Sequence, residues 1–137
     1  LEDLADFVSP QAQVHRVELR FQRLAEPLLV NADEKLLKQA VLNLMLNGIQ
    51  AIEGGGELIL ALRRGDGEAV IDVIDTGPGI PPEEQDRIFD AFYSKKRGGT
   101  GLGLAITKRI AQEHKGRVSL TSQVGKGSIF SIHLPLP

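Results

Sequence analysis

The sequence predicts an α+β domain, a two-layer sandwich in which a mixed β-sheet is covered on one face by about three helices. Three observations carry this prediction. Segments with the two-residue period of strands alternate with segments of helical period, in an order that is mixed and has an antiparallel flavour. Most of the 15 glycines cluster between those segments, at 54–56, 65–67, 77–79, 98–103 and 125–127. The length, 137 residues, supports one domain with a real core and is short for two.

Taken in order, residues 1–14 have the pattern of an amphipathic helix, broken or kinked near Pro10. "VELRFQRL" (17–24) alternates as a strand does. Asp33 can cap a long helix from Glu34 to Ile52, closed by the glycines at 54–56. "ELILALRR" (57–64) puts Leu58, Leu60 and Leu62 on one face of a strand, "GDG" (65–67) has hairpin chemistry, and "EAVIDVID" (68–75) returns. "PPEE" (81–84) opens a short helix, with proline at its start and acids in its first turn. A polar, glycine-rich loop at 93–101 enters a helix from about Leu102 to His114, stopped by Gly116. "RVSLTS" and "SIFSIHL" are two last strands joined by "QVGKG".

Composition narrows the function classes. The chain is 42% hydrophobic and 25% charged, with a net charge of −2, so it carries no basic footprint for nucleic acid or for a membrane surface. It has no cysteine, which excludes disulfides and thiolate metal sites. No apolar run reaches the roughly 18 residues of a membrane span, and no signal-peptide pattern opens the sequence. The opening "LEDLADF" reads as the interior of a longer protein.

The long helix poses the first chemical question. "NLMLNGIQAI" (43–52) is apolar except for a polar stripe, because Gln39, Asn43, Asn47 and Gln50 fall on one narrow face. Leu37, Val41, Leu44, Met45, Ile49 and Ile52 occupy much of the rest. Such amides can satisfy buried backbone groups. Two or more in register favour a ligand, and an amide oxygen suits Mg²⁺ that already carries phosphate oxygens.

A second question is the acid that ends a strand. Asp75 shares the parity of Ala69, Ile71 and Val73, which sets a carboxylate at the edge of the core. Thr76-Gly77-Pro78-Gly79 then lets the backbone turn sharply beside it. A carboxylate only accepts, so its natural partner is a planar donor such as the exocyclic amine of adenine. Further on, "GGTGLGLAI" (98–106) leads into a helix whose first amides and dipole suit phosphate, with the cations of "SKKR" (94–97) just upstream. Neither a dinucleotide fingerprint nor a P-loop occurs anywhere in the chain.

Together, "NLMLNGIQAI", "DTGPGI", "IFDAFYSKK" and "GGTGLGLAI" resemble the asparagine, first glycine, phenylalanine and second glycine boxes of the ATP-binding catalytic domain of sensor histidine kinases. They occur in the family's order, and the resemblance runs from about residue 17 to Leu134. The wider class is the GHKL ATP-binding fold shared with gyrase, heat-shock chaperone and mismatch-repair ATPases. The short "YSKKRGG" lid is most similar to kinases of the nitrogen-regulation type.

The resemblance implies a single ATP-binding catalytic domain over 1–137, with 1–16 a remnant of the connection to a phospho-acceptor domain and 93–100 an ATP lid. It implies ATP and Mg²⁺ as cofactors. Asn47 would coordinate the metal, and Asn43 would support metal and phosphates. Asp75 would bind the adenine amine, with Gly77 and Gly79 shaping the base pocket and Ser128 helping to hold the base through water. Phe89 and Phe92 would anchor the lid, and Lys96 would reach the terminal phosphate. Gly99, Gly101 and Gly103 would line the phosphates, alongside Thr100 and the amide of Leu102.

Departures from the family pattern sharpen the functional reading. Gln50 stands where many members carry a phosphate-directed lysine, and Gly48 replaces a common alanine. The phospho-acceptor histidine is missing. His15 lies at a helix-to-strand junction, His114 in the last turn of a helix, and His133 on what reads as the wetter face of the final strand. All three are expected to be structural.

Three readings from different classes follow: a phosphotransferase module, a GHKL-type ATPase, and a catalytically inactive nucleotide-binding module. GHKL hydrolases usually carry a glutamate as general base at the position of Asn43, and an amide cannot take that proton. The first reading is therefore preferred. It implies a separate dimerising helical hairpin that carries the acceptor histidine, a response regulator as the later partner, no nucleic acid and no membrane contact by this domain. The expected location is the cytoplasm, including for a membrane-anchored parent.

Overall fold

A computed structural model describes residues 4–22, 30–90 and 103–137. A five-stranded sheet runs through it. Its strands are β1 (Val17–Gln22), β2 (Gly56–Gly65), β3 (Glu68–Asp75), β4 (Arg117–Gln123) and β5 (Gly127–Pro135). They lie in the order β1-β2-β3-β5-β4. β1 pairs parallel to β2, and every other pairing is antiparallel. The helices are α1 (Leu4–His15), α2 (Glu34–Ala51), the single turn α3 (Pro82–Gln85) and α4 (Gly103–Glu113).

The elements follow the local sequence. Asp33 caps α2 by accepting from the Leu36 amide, which satisfies one of the unpaired donors of the first turn. Gly54 and Gly55 leave the helix at φ of +77° and +103°, a region glycine enters without strain. Gly67 turns the β2–β3 hairpin at φ +68°. α1 continues through Pro10, so of the break or kink that the sequence predicts there, the break does not occur. Pro10 and Asp6 are both exposed, so water can serve the Asp6 carbonyl that loses its partner.

α2 is the central helix, packed between α1 and α4 and against β2 and β3. Val41, Leu44, Met45 and Ile49 from α2 meet Leu58, Leu60, Ile71, Val73, Phe130 and Ile132 from the sheet. Leu4, Val8 and Ala12 seal one flank, and Ile110 and Ala111 the other. α2 and α4 run antiparallel: the Asn43 side chain reaches the Gly103 carbonyl, and His114 reaches the Asp33 amide. No helix among the described residues is long and apolar enough to cross a membrane.

The face of the sheet opposite these helices is held by cross-strand polar pairs. Arg63 Nε donates to Asp72 Oδ2 at 2.7 Å, and Ser131 donates to the other carboxylate oxygen. That hydrogen bond, with the charge of Asp72 behind it, raises the Arg63 guanidinium above its ordinary value. His133 lies on this face, yet only 8% of it is exposed, which corrects the wetter position expected from alternation. Its ring bridges Ser119 Oγ at 2.8 Å and Glu68 Oε2 at 3.1 Å, and neighbouring strands shield it. His15 is structural as expected, with Nδ1 3.2 Å from the Ile52 carbonyl at the end of α2.

Candidate functional site

β3 and β5 bring Asp75 and Ser128 together at one end of the sheet, and α2 places Gly48 against Asp75. Asp75 ends β3 with only 4% of its surface exposed. Its Oδ1 accepts from the Gly77 amide at 2.9 Å, so the carboxylate itself bends the chain into the turn that follows. A side chain on Gly48 would come within 3.4 Å of the Asp75 Cβ and 2.5 Å of Leu58 Cδ1. Glycine there lets α2 lie close against the acid, a reason for Gly48 that its neighbours in sequence do not reveal.

The turn after Asp75 is fastened to the β4–β5 hairpin. Gly79 has φ +80°, and a Cβ on it would sit 2.2 Å from the Gln123 carbonyl oxygen. The Gly125 amide donates to the Pro78 carbonyl at 2.7 Å. The Ile80 amide donates to Ser122 Oγ at 2.8 Å. Ser122 in turn lies 2.8 Å from Ser128 Oγ and donates to the Gly127 carbonyl at 3.1 Å. Ser128 is 5% exposed and pairs with Asp75 across the β3–β5 ladder. Ser122 was missed in the sequence, where it is one polar residue in an ordinary strand. Beside the turn, Ala51, Ile52, Glu53, Thr76, Gly77 and Pro78 line an open depression of about 380 Å³.

The polar stripe of α2 divides on folding. Gln39 and Gln50 are exposed. Asn43 and Asn47 are the half-buried pair, and Asn43 meets the start of α4. The Asn43 amide nitrogen donates to the Gly103 carbonyl at 3.4 Å, and the Thr107 hydroxyl donates to the same oxygen at 2.9 Å. Asn43 thus helps to hold the start of α4, where the second glycine cluster ends.

At the far end of the pair, His114 Nδ1 is 2.7 Å from the Ile110 carbonyl and Nε2 accepts from the Asp33 amide at 2.9 Å. A ring that donates at one nitrogen and accepts at the other is the uncharged form. His114 is therefore a structural tie between α4 and α2. Phe89 packs edge-on against Phe130, ring centres 6.1 Å apart. Phe92, Lys96, Gly99, Thr100, Gly101 and Leu102 lie outside the described residues.

The donor set suits a cation that brings its own oxygens. No group of three His, Cys, Asp or Glu side chains able to hold a metal occurs among the described residues. Amide oxygens on α2 are suitable for Mg²⁺ bound chiefly by phosphate and water.

Comparison with known proteins agrees with this geometry. Residues 32–137 match the family described as histidine kinase-, DNA gyrase B-, and HSP90-like ATPase. Sporulation kinase C of Bacillus subtilis is 44% identical over 108 residues, covering 79% of this chain and 25% of that protein. Sensor histidine kinase ZraS of Klebsiella oxytoca is 39% identical over 132 residues, covering 94% of this chain and 28% of that protein. The crystal structure of full-length ShkA in complex with AMPPNP is similar with a TM-score of 0.89 and 32% identity, covering 98% of this chain and 29% of that one. The chain spans about a quarter of the length of the curated relatives it matches.

Proposed function

The chain belongs to the histidine kinase-, DNA gyrase B- and HSP90-like ATPase family, and from that premise we propose that it binds Mg-ATP and delivers the terminal phosphate to a histidine on a separate helical hairpin, in two-component signalling. The observation that carries the reading is the buried Asp75 carboxylate, bound to the Gly77 amide and opposed by Ser128.

In this mechanism Asp75 accepts from the adenine amine, and Gly77 and Gly79 shape the wall that admits the base. Ser128 holds the base with Asp75. Asn43 positions the start of α4, so the first amides of that helix and the preceding glycines meet the phosphates. Gly103, the one residue of that cluster among the described residues, lies against Asn43 of α2. Asn47 would hold Mg²⁺, which would neutralise phosphate charge when bound. Phe89 anchors the lid base, with Phe92 beyond it. Gly99, Thr100, Gly101 and Leu102 follow the phosphates, and Lys96 meets the terminal one.

A neutral imidazole nitrogen on the partner hairpin attacks the terminal phosphorus, the bond to ADP breaks, and phosphohistidine forms. Phosphate passes next to an aspartate of a response regulator. No base on this chain is required, which fits Asn43 at the position where a hydrolase needs an acid. We place this chemistry in the cytoplasm, where ATP is supplied, and residues 93–100 act as its lid.

The test supplies ATP labelled on the terminal phosphate to the complete gene product that contains this chain. Acid-labile, base-stable label on protein supports the reading. Free phosphate alone identifies an ATPase, and nucleotide binding with neither product identifies a regulatory module.

A further inference from the structure

We propose that Ser122 is a specificity-determining positioning residue, which polarises Ser128 so that the wall beside Asp75 only accepts hydrogen bonds. The inference rests on the reading of Asp75 and Ser128 as the base-binding wall. Its ligand class is the 6-amino purine nucleotides.

Hydroxyl arithmetic carries the argument. Ser122 Oγ has one proton and two lone pairs. The Ile80 N–H can only donate, so at 2.8 Å it takes one lone pair. The Gly127 carbonyl can only accept, so at 3.1 Å it takes the proton. One lone pair remains for Ser128 Oγ at 2.8 Å, and that contact is satisfied only if Ser128 donates. The Ser128 proton is then committed away from Asp75. What Ser128 turns toward its cross-strand partner is lone pairs, beside a carboxylate that is also an acceptor.

A wall of two acceptors reads a group with two N–H protons. A 6-amino purine offers both. A 6-oxo purine sets an oxygen lone pair against two oxygens, and a site built to bond an amine rejects a ligand that lacks it. Ser122 touches no ligand in this account. It acts through Ser128, and through the Ile80 amide it also fixes the turn that closes the pocket.

The experiment titrates ATP and inosine triphosphate into wild type, Ser122→Ala and Ser122→Thr, with thermal unfolding of each. These nucleotides differ only in the base, at the 6-position and its neighbouring ring nitrogen. Ser122→Ala frees the Ser128 proton to donate toward the base, so the preference for ATP over inosine triphosphate falls by about tenfold. Ser122→Thr keeps the hydroxyl and restores the preference. Ser122→Cys, with only a weak donor and acceptor, carries the test if the alanine variant does not fold. If both nucleotides weaken by one factor and the preference is unchanged, Ser122 is a brace only and the inference is overturned. If wild type binds neither nucleotide, or both equally, the base-site reading itself falls and takes this inference with it.

Discussion

Asp75 and Ser128 stand opposite one another across the β3–β5 ladder, both almost fully buried, where a sheet interior would ordinarily place two apolar side chains. Burying a carboxylate without partners is costly, so a site that retains one needs donors for it. The Gly77 amide supplies one, and the proposed nucleotide adds a further donor.

Gly79→Ala should damage the site through the backbone. The residue sits at φ +80°, and a methyl group would meet the Gln123 carbonyl. The conformational strain alone costs on the order of 1–3 kcal/mol. Thermal unfolding should fall by several degrees, and ATP affinity should drop with it. An unchanged melting temperature would mean that the turn has room to move.

Asn43→Glu should raise phosphate release from ATP about tenfold or more, because a carboxylate at that point can activate water. Phosphate release measured on the isolated chain reads this directly. No rise would mean that the base is not what separates this chain from a hydrolase.

His114→Phe should loosen the pairing of α2 with α4. It removes a bond to the Ile110 carbonyl and the acceptor of the Asp33 amide, each worth about 1 kcal/mol. Hydrogen exchange should speed first at the Asp33 amide and the last turn of α4. Protection that is unchanged at both would show that packing alone holds the pair.

Lys96→Ala should lower phosphoryl transfer more than ATP affinity, as befits a cation at the terminal phosphate. Parallel titration and transfer assays separate the two. Equal losses would reduce Lys96 to a binding contact.

Much of this architecture is legible in sequence because its signals are local. Asp33 three residues before Leu36, the "GDG" between two alternating runs and the parity of Asp75 with Val73 all report on neighbours in the chain. Features built by distant pairing are not legible. The Ser122 hydroxyl finds the Ile80 amide 42 residues away, and His133 is buried by Ser119 and Glu68 on other strands. The helical wheel of α2 aligns Gln39 and Gln50 with the two asparagines. The fold then separates them: Asn43 and Asn47 are half-buried, and Asn43 meets Gly103 at the start of α4. Pro10 shows the reverse: of the break or kink it signals, the break does not occur where Asp6 and Pro10 both face water.

The most direct test of the central claim is calorimetric titration of ATP, with and without Mg²⁺, into the wild-type chain and Asp75→Asn. The account predicts binding by wild type that is strengthened by metal and reduced about a hundredfold in the variant, as for a charged hydrogen bond removed from a buried site. Equal affinity in wild type and Asp75→Asn would contradict it, because adenine would then not be read by Asp75.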